Sequence, residues 1–198
     1  MKLRILGPVV LAGVAAIACV SSKPVHYYTL GGVAPRTNQS KADGQILLVG
    51  TFATPEVLQD GRIRYKRGSN ESGAYEFHRW TERPGAMVRD ELIHALRGSG
   101  KYQRVLVAGS ATNGDYLVRG KLEEFQEVDA ASIQTRISLY VEVLDRKTNQ
   151  NVWEHTIARE EPVSGKTVAE VVQSLDRNLQ HVVVEAVDGI DQFLSTRR

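Results

Sequence analysis

Between Ser132 and Asp145 the chain alternates in side-chain character without a break. Ile133, Thr135, Ile137, Leu139, Val141 and Val143 fall on one side, and Gln134, Arg136, Ser138, Tyr140 and Glu142 on the other. A period of two over this length is a strand with one dry face and one wet face. Tyr116 to Glu127 and Val152 to Arg159 flank it as further strands, with a turn at Asp145 to Asn151, so the three predict an antiparallel meander. The dry face needs a cover. Thr167 to Leu194 supplies one, because Val168, Val171, Val172, Leu175, Leu179, Val182, Val183, Ala186, Ile190 and Phe193 keep a spacing of three and four. Thr167 and Glu170 have the spacing of a capping box at its start.

The N-terminal half adds smaller elements. Tyr27 to Leu30 reads as a short strand, and Gly31 to Gly44 as a loop. Gln45 to Phe52, with Ile46, Leu47, Leu48 and Val49, form a continuous apolar run fit for a strand buried on both faces, stopped by Pro55. Ile63 and Tyr65 alternate with basic residues, Gly68 to Gly73 reads as a turn, and Tyr75, Phe77 and Trp80 carry the returning strand of a hairpin. Pro84 opens a helix with Val88, Leu92, Ala95 and Leu96 on one stripe, ended by Gly98 and Gly100. Tyr102 to Ala108 reads as one more strand. The expected fold class is α+β: a single mixed, mainly antiparallel sheet covered by a short helix (about 84–97) and a long C-terminal helix (about 167–194).

The first 18 residues have a different character. Met1 to Arg4 is a short basic stretch, Ile5 to Ile17 is apolar, and Ala16 and Ala18 give the small-x-small pattern of a signal cleavage site. Cys19, the chain's one cysteine, follows at once. The run Ala16-Ile17-Ala18-Cys19 resembles a bacterial lipobox, with Ala16 in place of the preferred Leu. Cleavage between Ala18 and Cys19 and lipidation of Cys19 are therefore expected. The chain then divides into a removed signal peptide (1–18), a lipidated linker (19–24) and a single α+β domain (25–198). Each buried methylene contributes about 0.8 kcal/mol and stable anchoring takes more than one chain, a requirement that a diacylglyceryl plus N-acyl cysteine meets. Val20 rather than Asp after the cysteine resembles the sorting signal for the outer membrane.

Of 25 basic residues, Lys2 and Arg4 lie in the leader, which leaves 23 against 23 acidic residues in the mature chain. This balance gives no basic footprint for a nucleic acid. With Cys19 acylated, thiolate catalysis and disulfides are excluded. Ser164-Gly165-Lys166-Thr167 has the tail of a phosphate-binding loop, but Glu160, Glu161 and Pro162 stand where the cradle would be, and the capping box explains Thr167. The five histidines have no zinc-ligand spacing. His94 stands four residues from Asp90, the spacing of an exposed helical pair. Glu123-Glu124 and Glu160-Glu161 are adjacent on strands, and adjacent strand residues face opposite ways. No metal, cofactor or catalytic set is expected. Trp80 is read as a core anchor or a partner-contact residue. Tyr27 and Tyr28 should divide into one buried and one exposed ring.

Taken in order, Tyr27-Tyr28-Thr29-Leu30, the apolar strand leading through Pro55 to Asp60-Gly61-Arg62-Ile63-x-Tyr65, and Tyr75-Glu76-Phe77-His78-Arg79-Trp80 before a helix with Leu92 and Leu96 resemble the ABC-type transport auxiliary lipoproteins. The resemblance implies a non-enzymatic lipoprotein at the periplasmic face of the outer membrane. It would dock on a protein with Mce (mammalian cell entry) domains and its ABC transporter, which move lipid or other hydrophobic solutes, and a homo-oligomer stays open. Two alternatives remain at this point: a regulator of a peptidoglycan synthase, and a lipid carrier with a cavity between the sheet and the C-terminal helix.

Overall fold

The computed structural model describes residues 23–32, 44–109 and 113–197. In chain order the elements are β1 (His26–Tyr28), β2 (Ile46–Ala53), a short 3-10 turn (Glu56–Leu58), β3 (Arg62–Arg67), β4 (Glu71–Trp80), α1 (Pro84–Gly98), β5 (Arg104–Val107), β6 (Tyr116–Asp129), β7 (Ile133–Asp145), β8 (Gln150–Pro162) and α2 (Val168–Ser195). The fold is α+β, with one mixed open sheet and both helices on one face.

The sheet forks at β6. One edge of this long strand pairs with β7 over its whole length, and β7 pairs in turn with β8, both antiparallel. The other edge is shared: its first half takes β2 and then β5, and its second half takes β3, β4 and then β1. The contacts β2–β5, β2–β6, β3–β6 and β1–β4 are parallel. The antiparallel meander is longest because alternation and short turns favour local pairing. Asp145 accepts the amides of Lys147 and Thr148 at the β7–β8 turn, and Asn149 takes the left-handed conformation there (φ 57°).

α2 packs on β7 and β8, and α1 on β2, β5 and β6. The α2 stripe Leu175, Leu179, Val182, Val183, Ala186 and Ile190 is buried against Ile137, Leu139, Val141 and Val143. Burying an aliphatic side chain contributes about 1.5–3 kcal/mol, so this seam is a main source of stability. β2 is buried on both faces. Leu47 and Val49 enter the core, while Leu48 lies in register with Leu106 and Leu117 on the far side and is covered by Gly114.

Three local expectations change. The β3–β4 turn is tighter than Gly68 to Gly73, because Glu71, Ser72 and Gly73 already pair with β3. Gly73 serves Tyr65, whose ring lies where a Cβ would stand. The strand expected at Val152 to Arg159 extends from Gln150 to Pro162, since Glu160 and Glu161 are held from both faces of the sheet. Finally, a bulge between Leu122 and Glu124 turns two adjacent carboxylates to one face. Glu123 meets Lys121 and Ser138, and Glu124 meets Gln126, all on the polar side.

Candidate functional site

Cys19 and Ala18 lie outside the described residues. The structure does show how the chain enters the domain just after them. β1 adds to β4 in parallel, with His26 beside His78, Tyr27 beside Arg79 and Tyr28 beside Trp80. Three residues form a weak edge, so the segment is fixed by what surrounds it. The Thr81 amide donates to the Tyr28 carbonyl (2.8 Å). Leu30 is in the core. The Gly31 amide donates to Asp176 of α2 (2.9 Å), and Gly32 passes Glu91 of α1.

The two faces of β1 differ. Inward, the His26 and His78 rings stack with centroids 5.1 Å apart, and the Tyr28 hydroxyl lies 2.9 Å from His78 Nδ1. Tyr75 meets His78 edge-on and donates to Glu127 Oε2 (2.6 Å). Burial and the neighbouring His26 hold the His78 pKa below the ordinary histidine value. Burial, then the Glu127 hydrogen bond, raises that of Tyr75. Outward, Tyr27 is 64% exposed and Val25 41% exposed. Lys23 Nζ stands 5.6 Å from the Phe77 ring centroid, on the same side as Tyr27. Tyr28 is half-buried, so the two tyrosines divide between the faces.

Trp80 is 4% exposed, with its ring 5.4 Å from Phe125 between β4 and β6. That position makes it a core anchor and removes it from any contact surface. His94 is exposed on α1, and Asp90 takes Arg89 as its partner.

A second exposed region runs along β8. Trp153 and His155 face α2, where Gly189 lets the indole approach the helix backbone, and Phe193 lies 6.5 Å from the indole. With Glu185, Asp188 and Gln192 they line a groove of about 470 Å³. On the opposite face Glu142 and Glu154 stand directly across from each other. Tyr140 donates to Glu154 (2.7 Å), and Asn151 donates to both carboxylates. That bond, first among its causes, pushes the Tyr140 pKa up to about 12. Sequence reasoning passed over the imidazole pair, because His26 and His78 meet only through a parallel register. It also passed over Trp153, although its alternation with His155 on one strand face was a usable signal.

The phosphate-loop resemblance at Ser164 to Thr167 resolves into helix capping. The Thr167 amide donates to Glu170 Oε2 (2.9 Å), and the Glu170 amide donates to Thr167 Oγ1 (3.3 Å). A Cβ at Gly165 would meet the Glu170 carboxylate where the cap holds it. Among the described residues no group of three His, Cys, Asp or Glu is arranged to hold a metal ion. No helix among them is long and apolar enough to cross a membrane.

A family model described as "ABC-type transport auxiliary lipoprotein component" matches residues 28–187. No curated protein matches the chain. Among solved structures, a Xanthomonas campestris protein is 20% identical and superposes over 89% of this chain and 100% of its own, with a TM-score of 0.76. A second, an uncharacterized protein, is 16% identical over 85% of this chain and 99% of its own, with a TM-score of 0.67. These likenesses show a shared fold.

Proposed function

Because the chain belongs to the family of ABC-type transport auxiliary lipoproteins, we propose that it works as a membrane-tethered, non-enzymatic component of an envelope transport system. Cys19 carries the diacylglyceryl and N-acyl anchor. The domain stands at the periplasmic face of the outer membrane and docks on an Mce-domain protein that serves an ABC transporter of lipid or another hydrophobic solute. The observation that carries this reading is the wiring of β1. The segment that follows Cys19 is bonded to β4, buried at Leu30 and tied to α2 through Asp176, so a load on the anchor reaches the core at once. Three residues separate Cys19 from Lys23, and the four Cα steps reach at most about 14 Å. Tyr27, Val25 and Lys23 are then held close to the lipid surface, where such side chains are at home. Tethering concentrates the domain near its partner, and a modest interface suffices.

The carrier alternative has less support. The space between the sheet and α2 is filled by Leu175, Leu179, Val182 and Ile190 packed on β7. The test is affinity capture from native membranes with the anchor intact, followed by mass spectrometry, with Cys19→Ala as control. Recovery of an ABC permease and an Mce-domain protein is expected. Recovery of a peptidoglycan synthase in their place overturns the reading. Absence of radiolabelled palmitate from the wild-type chain overturns the anchor.

A further inference from the structure

One face of the sheet lies under the helices and the other is bare. Pleating assigns side chains to the bare face in its β1–β4–β3 half. Arg62 and Arg64 flank buried Ile63, Lys66 lies two residues on, and Arg79 precedes buried Trp80. Tyr27 stands beside Arg79, and Lys23 lies over the Phe77 ring. Asp60 answers two of these cations, with Arg62 Nη2 at 2.7 Å and Arg64 Nη1 at 3.8 Å. Exposed Glu76 falls in the irregular stretch of β4 between its two ladders. Among the described residues Lys66 and Arg79 have no acidic partner. Across β6 to β8 the same face is built differently. Arg119 is paired with Glu142, Lys121 with Glu123 and Arg136 with Glu160. Glu154 adds a carboxylate held by Tyr140 and Asn151 rather than by a cation. The bare face is therefore basic at its β1 end and acidic toward β8.

We propose that the basic half of this face docks on an anionic phospholipid surface, with headgroup phosphates seated over Arg62 and Arg79. The proposal rests on the Cys19 anchor only for the side from which the bilayer comes. The arginine pair is the first support. Arg62 and Arg79 stand directly opposite each other, with Cα atoms about 5 Å apart. Like charges so placed destabilise a sheet, and Asp60 offsets one of the two. Phosphate oxygens spanning both guanidiniums remove that cost, because the guanidinium fork matches phosphate geometry.

The side chains among the cations are the second. Tyr27 and Val25 are both exposed there. A tyrosine ring with a wet hydroxyl belongs at the boundary between headgroups and acyl chains. Lysine and arginine stems cover apolar surface while their charges stay with the headgroups.

Position is the third. The cations gather at the edge where the chain arrives from Cys19, and Lys23 is at most about 14 Å from that residue. The unanswered carboxylate Glu154 lies on β8, at the far edge of the sheet. An anionic surface attracts the near half and repels the far one, so the domain tilts onto β1, β4 and β3. Each cation brought to such a surface strengthens binding about fivefold at physiological salt.

The test uses the full chain purified from its native membranes, on vesicles of phosphatidylcholine alone or mixed with phosphatidylglycerol. Ser72 is exposed and lies opposite Lys66, so Ser72→Cys carries a fluorescent label on the bare face. His94→Cys carries one in the helix layer. A lipid with a spin-labelled headgroup should quench the Ser72→Cys label on anionic vesicles and spare it on neutral ones. High salt should relieve the quenching. The His94→Cys label should stay bright on both. Lys66→Gln with Arg79→Gln should lower the ratio of quenched to unquenched label about 25-fold, two cations at about fivefold each. Quenching that is equal on the two vesicles overturns the proposal, as does quenching that survives in a double variant that melts like the wild type. So does a double variant that keeps its quenching and loses a protein from the native-membrane capture, since the patch is then a protein surface. Failure of the anchor reads differently, because the wild type then does not float with neutral vesicles. In that case flotation itself reads the patch: the wild type should rise with anionic vesicles and the double variant with neither, and a wild type that rises with neither overturns the proposal.

Discussion

Tyr102 follows α1, and its hydroxyl donates to Asp191 Oδ1 in the last turns of α2 at 2.5 Å. Lys101 Nζ reaches Oδ2 of the same carboxylate at 3.1 Å. Asp191 is 4% exposed, so its oxygens depend on these donors. Tyr102→Phe keeps the ring and removes one donor. A hydrogen bond to a charged group contributes about 1.5–3 kcal/mol, and an unmet buried acceptor retains its desolvation cost. The expected loss is about 2 kcal/mol, which for a chain of this size lowers the melting temperature by about 4–8 °C. Asp191→Leu should cost more, about 3–5 kcal/mol, because Lys101 and Tyr102 both lose their bond to the carboxylate and the leucine must repack. The double variant decides whether the pair is coupled: its loss should fall short of the sum by at least about 1 kcal/mol. Urea unfolding followed by circular dichroism gives all four corners of the cycle. A Tyr102→Phe loss under about 0.5 kcal/mol, or strict additivity, refutes the reasoning that the loop after α1 is held to α2 by this carboxylate.

Trp80→Ala should cost about 3–5 kcal/mol by the same assay, since the ring fills the space beside Phe125. Gly120→Ala should prevent folding or lower the melting temperature sharply, because the new Cβ would meet the Tyr140 backbone carbonyl, which cannot swing aside. His78 has a folded pKa below its unfolded value of 6.5, so the unfolded chain binds more protons and stability falls as pH drops from 6.5 through the folded value. The loss measured between pH 7.5 and pH 5.5 should shrink in His78→Gln, and an unchanged pH dependence would refute it. Glu170 is held below its usual 4.5 by the Thr167 hydroxyl and amide, so its capping contribution is present above pH 4.5 and lost as pH falls through the folded value. Helix content of wild type and Glu170→Ala should therefore converge in acid.

The strongest periodic signals carried over into structure directly. Strand β7 and helix α2 each have one way to bury their apolar residues, so alternation in one and three-four spacing in the other settle which face turns inward. What the sequence could not convey is which strand lies beside which. Leu47-Leu48-Val49 and Val105-Leu106-Val107 are apolar on both faces, and such runs carry no mark of direction or neighbour. The fork at β6 is hidden for the same reason, since β2 and β3 use different halves of one strand edge. Gly73 looked like turn chemistry and is a seat for the Tyr65 ring, which no local pattern announces. At the anchor, the division of Tyr27 from Tyr28 follows from pleating alone. The packing of Tyr28 against His78 required a parallel pairing fifty residues apart, and that of Tyr75 against buried Glu127 required β4 and β6 to flank β3.

The fork also decides how anchor and free edge are related. From β1 the sheet runs through β4, β3, β6 and β7 to β8, five strand spacings or about 24 Å. The β1 edge and the β8 edge are thus opposite sides of one sheet. Tyr27, Val25 and Lys23 lie on the face of β1 away from the helices. On the proposed anchoring at Cys19, a tether of about 14 Å at most would turn that sheet face to the lipid. The helices would then face away from the membrane, toward the transport partner of the proposed reading.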